Sequence, residues 1–155
     1  MTLSLMHTKL QKPQLPEHLI HKAQHQKMSQ INIICAQAGS GKSTLVGQWL
    51  AAEQQPYIWY ALDEWDNELF QFLAYLAEGY KLIHVPEYDQ MKQLLSAQNA
   101  FDDAGIIKAF VGLMYRIDQP VTLVLDDYHH ISEELIHHFM KVLLDHMSPL
   151  LRLCI

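Results

Sequence analysis

The run Ile31-Asn32-Ile33-Ile34-Cys35-Ala36 leads without a break into Gln37-Ala38-Gly39-Ser40-Gly41-Lys42-Ser43, and good helix formers follow at once. A short, isoleucine-rich apolar run reads as a buried strand. Gly39 and Gly41 permit backbone angles and close approaches that a side chain would block. A strand, a glycine loop and a helix in that order form a cradle for an anion. Successive N–H groups turn inward, and the helix start presents its positive end, equivalent to about half a charge. The pattern matches the P-loop, G-x-x-x-x-G-K-[ST], with Ala36 at the first position and Gly41-Lys42-Ser43 intact. Residues Ala38, Gly39, Ser40, Gly41, Lys42, Ser43 and Thr44 are therefore the expected nucleotide-phosphate site. Lys42 would reach the β- and γ-phosphates as a point charge, and Ser43 would offer its hydroxyl to Mg²⁺. The expected ligand is Mg-ATP or Mg-ADP.

The rest of the chain supplies the frame that such a loop needs. Helix formers span 43–54, with Leu45, Val46, Trp49 and Leu50 on one side. An aromatic-rich run at 57–62 predicts a second strand. Helical spacing predicts helices at 67–80, 91–95, 102–115 and 133–146, and a short one at 17–28. The continuous run Val121-Thr122-Leu123-Val124-Leu125 predicts a central parallel strand buried on both faces. Residues 151–155 predict a further strand. Strands alternating with helices imply an α/β layer fold around a mostly parallel sheet.

The strand at 121–125 ends in Asp126-Asp127. Ligands of open α/β sheets bind at the carboxyl ends of the strands, and Mg²⁺ prefers one or two carboxylates together with phosphates. Asp126 is thus the expected holder of the metal's water shell. Asp127 would orient or polarise an attacking water; the ordinary alternative for a strand-ending Asp-Asp is a turn or a helix cap, with Asp127 capping the next helix.

Composition narrows the partners. Half of the 155 residues are apolar, enough for one real core. The formal charge is −6, and the 11 Lys and Arg residues form no stripe, so no direct contact with DNA is expected from this chain. No apolar run approaches the roughly 20 residues of a membrane helix. Cys35 and Cys154 lie far apart in sequence without metal-ligand spacing, which fits a reducing cytoplasm.

Other features weigh less. The ten histidines include His129, His130, His137, His138 and His146, and they read as a solvated helix face before they read as a metal site. Asp63, Glu64, Asp66 and Asn67 read either as a loop at the edge of the γ-phosphate site or as a cap in which Asp66 or Asn67 begins the next helix. Tyr57, Trp59 and Tyr60 read as sheet packing.

Residues 36–44 with Leu45 and Gln48-Trp49-Leu50 form one block of a wider pattern. The others are Trp59-Tyr60-Ala61-Leu62-Asp63-Glu64 with Asp66-Asn67, Phe72-Leu73-Ala74-Tyr75-Leu76, and Leu123 to His129 with Ile131. From about Lys9 onward the chain resembles the ATP-binding domain of the MalT-like regulators, large LuxR-type bacterial transcription activators of the STAND class of P-loop ATPases. The resemblance implies a three-layer P-loop fold with sheet order 5-1-4-3-2, of which the strands at 31–36, 57–62, 121–125 and 151–155 would be strands 1 to 4. Strand 5 would lie beyond residue 155. The division implied is an N-terminal extension over 1–30 and a nucleotide-binding domain, truncated at its C-terminus, over 31–155. It further implies an ATP-driven switch that self-associates and hydrolyses ATP slowly at most, with DNA binding carried by a region outside this chain. The basic stretch expected before the first strand reads Leu19-Ile20-His21-Lys22 here. The rival readings are an inactive remnant of such a regulator and a small P-loop kinase. A kinase would need arginines for its lid or acceptor site, and the chain has only Arg116 and Arg152.

Overall fold

A computed structural model describes residues 7–14, 28–35, 39 and 41–155. The expected helix at 17–28 falls almost wholly outside the described residues, as do Ala36, Gln37, Ala38 and Ser40 of the glycine loop.

Four parallel strands form one sheet in the order β1-β4-β3-β2: β1 (Ile31–Asn32), β2 (Tyr57–Ala61), β3 (Val121–Asp126) and β4 (Leu151–Cys154). The helices are α1 (Lys42–Glu53), α2 (Leu69–Leu82), α3 (Tyr88–Ser96), α4 (Asp103–Tyr115) and α5 (Glu134–Asp145). Side chains alternate across a strand, and β2 and β3 use both faces. Trp59 and Val124 point to one side and pack with Val46, Trp49 and Leu50 of α1. Ile58, Tyr60, Leu123 and Leu125 point to the other and pack with α2, α4 and α5. The result is a P-loop NTPase-like three-layer fold, with strands 1 to 4 in the expected order.

The helices bury the stripes that their sequences carry. In α5, Ile136, Phe139, Met140 and Leu143 recur at helical spacing and are all buried. In α2, Leu69, Phe72, Leu73, Leu76 and Tyr80 do the same. Gly79 allows α2 to lie close on β2, because a Cβ there would collide with the Ile58 side chain. β3 is buried from Val121 to Leu125, as its unbroken apolar run predicts.

Two expectations need correction. Regular strand geometry in the first strand covers only Ile31–Asn32, although pairing continues as Ile34 N donates to Ile155 O at 2.7 Å. That strand is also not buried: Ile31 is 44% and Ile33 71% exposed. It lies at the sheet's edge among the described residues, paired on one side only. The cap of α2 is neither Asp66 nor Asn67 but Glu68, whose carboxylate accepts from the amides of Phe70 and Gln71.

Candidate functional site

All four strands run the same way, so their carboxyl ends share one side of the sheet. A cleft opens there. It is lined by Gly39, Gly41, Lys42, Ser43 and Thr44 from the glycine loop and the start of α1, and by Asp126, Asp127, Tyr128 and His129 from the end of β3. Its walls include Cys35, Trp59 and Cys154.

Gly39 and Gly41 stand at φ +79° and +87°, the left-handed region where a side chain is strained. Gly41 precedes α1 directly and its carbonyl accepts from Leu45 N at 2.9 Å. No side chain caps the helix start at Gly41. The first amides of α1 are therefore among the groups that a helix leaves without internal partners, and they open on the cleft beside Lys42.

Ser43 Oγ donates a hydrogen bond to Asp126 Oδ2 at 3.0 Å. One hydroxyl and one carboxylate, both hard oxygen donors, thus converge from two elements far apart in sequence. Asp126 is half-buried. Burial pushes its carboxyl above the ordinary carboxylate value, and Asp127 adds to this, while the Ser43 hydrogen bond and the Lys42 charge pull the other way. The donor set suits Mg²⁺, which takes one or two carboxylates and fills its remaining positions with water and phosphate. Among the described residues no three His, Cys, Asp or Glu side chains gather into a closed metal cage.

Asp127 adopts left-handed backbone at φ 59° and opens the turn Tyr128–His130. Its carboxylate makes no capping bond there and stands 3.8 Å from His129 Nδ1. Asp127 thus opens a turn, as the ordinary alternative has it, without a side-chain capping bond, and the cap of α5 is Glu133. Tyr128 hydrogen-bonds His137 Nδ1 at 2.7 Å, and burial pushes its hydroxyl up to about 12. Burial likewise pushes the Cys154 thiol up to about 11.

None of the carboxylates after β2 lines the cleft. Asp66 is fully buried, accepting from Lys9 Nζ at 2.7 Å, Tyr60 Oη at 2.9 Å and Asp63 N at 2.9 Å. Asp63 caps the short turn Glu64–Asp66. Both arginines lie away from the cleft. Arg152 pairs with Glu53 at the far end of α1, and Arg116 bonds Gln90. His129 was passed over in the sequence as one of many histidines, yet it lines the cleft. Its place two residues beyond Asp127 was the available signal.

No family model matches the chain. Over 150 residues, 95% of its length, it is 34% identical to the HTH-type transcriptional regulators MalT of Yersinia pestis (strain Pestoides F) and Yersinia pseudotuberculosis (serotype O:1b). It is 34% identical over 148 residues to MalT of Yersinia enterocolitica (serotype O:8). The chain spans 16% of the length of each of these regulators. A relationship to the MalT regulators is thereby supported over nearly the whole chain.

Proposed function

We propose that this MalT-like chain is an ATP-binding switch module, holding Mg-ATP or Mg-ADP in the cleft at the carboxyl ends of its strands. The observation that carries the reading is the contact between Ser43 and Asp126 beside a glycine-flanked helix start. In this reading residues 31–155 are the nucleotide-binding domain and residues 1–30 its N-terminal extension. The free amides near Gly39, Gly41 and the start of α1 cradle phosphate oxygens. Lys42 neutralises the β- and γ-phosphates. Ser43 and Asp126 hold Mg²⁺ and its waters, and Asp127 orients water at the γ-phosphate. The bound metal supplies positive charge for the phosphate oxygens.

Turnover is slow at most. A phosphoryl-transfer site needs a further cation for charge spreading over the γ-phosphate oxygens, often an arginine. Arg116 and Arg152 are engaged elsewhere. Among the described residues no helix is long and apolar enough to cross a membrane, and an acidic chain has no footprint for DNA. The reading takes the module as part of a cytoplasmic STAND-class regulator whose DNA contacts are made by other regions. Calorimetric titration of the chain with Mg-ATP, Mg-ADP and ATP plus a chelator tests it. Saturable binding of both Mg-nucleotides is expected, weakened by the chelator. Absence of binding, or steady phosphate release at about 1 per second or faster, overturns it.

A further inference from the structure

Asn67 lies in the loop between β2 and α2 and is partly buried. Its side chain donates from Nδ2 to the carbonyls of Glu64 (3.1 Å) and His130 (2.9 Å). Its Oδ1 accepts from Ser132 N (2.6 Å), Glu133 N (3.1 Å) and Ser132 Oγ (3.3 Å). A carboxamide offers two donors and one acceptor oxygen, and here all are engaged. No other short side chain combines donors and an acceptor in this shape; aspartate keeps the acceptor and loses both donors.

The backbone that Asn67 grips is the stretch immediately following the cleft residues. Asp126 is anchored in β3, then Asp127, Tyr128 and His129 line the cleft, then His130, Ser132 and Glu133 bond to Asn67. Left-handed backbone at a non-glycine residue is uncommon and persists where the surroundings hold it. Asp127 makes no capping bond of its own to hold its turn. Within the turn the amides of His130 and Ile131 donate to the carbonyls of Asp127 and Tyr128, and its two ends are fixed by the β3 ladder on one side and Asn67 on the other.

We propose that Asn67 is a positioning residue of the phosphate cleft, acting through the backbone of 130–133 to hold Asp127 toward the terminal phosphate of bound nucleotide. The inference rests on the nucleotide reading above. It makes the loop after β2 a second determinant of how the site treats a γ-phosphate, although no residue of that loop lines the cleft. The ordinary role for the same bonds is to cap the approach to α5, which requires only the acceptor oxygen.

The two roles separate by substitution. Asn67→Asp keeps the acceptor, so a mere cap is preserved or improved. It loses the hold on His130 and sets an anion against two carbonyl oxygens. The full-length parent, Asn67→Asp and Asn67→Ala are compared by calorimetry with Mg-ATP and Mg-ADP, at a temperature where each is folded. Amide hydrogen exchange without nucleotide is measured alongside. Both variants should lose protection at His130 and Ile131, whose amides bond to the carbonyls of Asp127 and Tyr128. Both should bind Mg-ATP about tenfold more weakly, the scale of one lost water-bridged hydrogen bond between Asp127 and the γ-phosphate, with Mg-ADP changed by less than about threefold. If the alanine variant fails to fold, the aspartate variant alone carries the comparison. An aspartate variant that keeps the parent's ATP-to-ADP preference reduces Asn67 to a cap and overturns the positioning role alone. A parent that binds neither nucleotide overturns the phosphate reading, and this inference with it.

Discussion

The hydroxyl of Ser43 and the carboxylate of Asp126 meet at 3.0 Å across a separation of 83 residues. Each arrives by the logic of its own segment. Ser43 follows a glycine whose positive φ launches a helix, and Asp126 ends an apolar strand whose side chains fill both faces of the sheet. Their meeting converts two local patterns into one site with a cation next to it.

The cation is the first point to test. Lys42→Ala removes the side-chain ammonium that adjoins the open helix start. Charge-assisted hydrogen bonds are worth roughly 1.5–3 kcal/mol each, so Mg-ATP affinity should fall by at least about tenfold. Calorimetric titration of the folded variant measures this. Unchanged affinity would sink the assignment of the loop.

A second prediction concerns Asp126 and carries a sign. Its carboxyl stands above the ordinary value of 3.8 mainly through burial. A raised acid pKa means that the ionised form is disfavoured in the fold. Without ligand, stability should therefore rise as pH falls through the folded-state pKa, and above it the carboxylate is a cost. Asp126→Asn removes that cost while Ser43 keeps an acceptor oxygen. The ligand-free variant should melt slightly above the parent at neutral pH and lose the part of the pH dependence that Asp126 contributes. The extra melting temperature conferred by Mg-ATP should shrink, because the metal's anchor is gone. A ligand-free variant that melts below the parent contradicts the electrostatic account of this position.

Legibility from sequence follows the range of the interaction. The left-handed glycines at 39 and 41, the acid that ends β3 and the burial of β3 were readable because each is written in neighbouring residues: a glycine pair, a terminal acid, an unbroken apolar run. Asp66 was not, since its partner Lys9 lies 57 residues away and nothing local marks either as buried. Asn67 was named only as a local cap or loop residue, because its bonds to the 130–133 stretch span 63 to 66 residues. The exposure of Ile33 was hidden too, because an isoleucine run has the same composition at the edge of a sheet as in its middle.

The Lys9 cluster gives a third prediction. Lys9 Nζ lies 2.9 Å from Asp63 and 2.7 Å from Asp66, fastening the turn His7–Leu10 to the end of β2. Lys9→Met keeps the stem but strands a fully buried carboxylate. Breaking a buried pair from one side costs roughly 3–5 kcal/mol, and the low end is expected because Tyr60 and the Asp63 amide still bond Asp66. Adding Asp66→Asn should recover part of the loss, giving a double variant less destabilised than the two single effects combined.

The same cluster sets two pH limits. Burial acts to lower the Lys9 pKa, but its bonds to Asp66 and Asp63 outweigh this and leave it above 10.5. Its contribution is present below 10.5 and lost as pH rises through the higher folded-state value. Burial acts to raise Asp63, but its bonds from Lys9 and Trp65 outweigh this and leave it below 3.8. That contribution is present above 3.8 and lost as pH falls further. Thermal melting in alkaline and acid buffers should show both losses in the parent. An identical alkaline profile in Lys9→Met would exclude Lys9 as the source.

The last prediction concerns the strand that bears the loop. Among the described residues β1 pairs with β4 alone, through Ile31↔Leu153 and Asn32↔Cys154. The pairing extends by the amides of Leu153, Ile155 and Ile34. β4 in turn pairs with β3, so it is the link between the loop-bearing strand and the buried centre of the sheet. Deleting residues 151–155 should therefore release β1, abolish nucleotide binding and expose the core that Leu151 and Leu153 fill. Ile31 of β1 and Ile33 just beyond it are exposed, and an exposed apolar edge strand invites pairing with another chain. Self-association through this strand is the expected consequence. Ile33→Lys should suppress it at little cost in stability, because that side chain is mostly in water already. Sedimentation velocity over a concentration series compares the parent with the variant. A parent that stays monomeric throughout, with β1 amides as protected from exchange as those of β3, would show that the edge is closed and that this route to association does not exist.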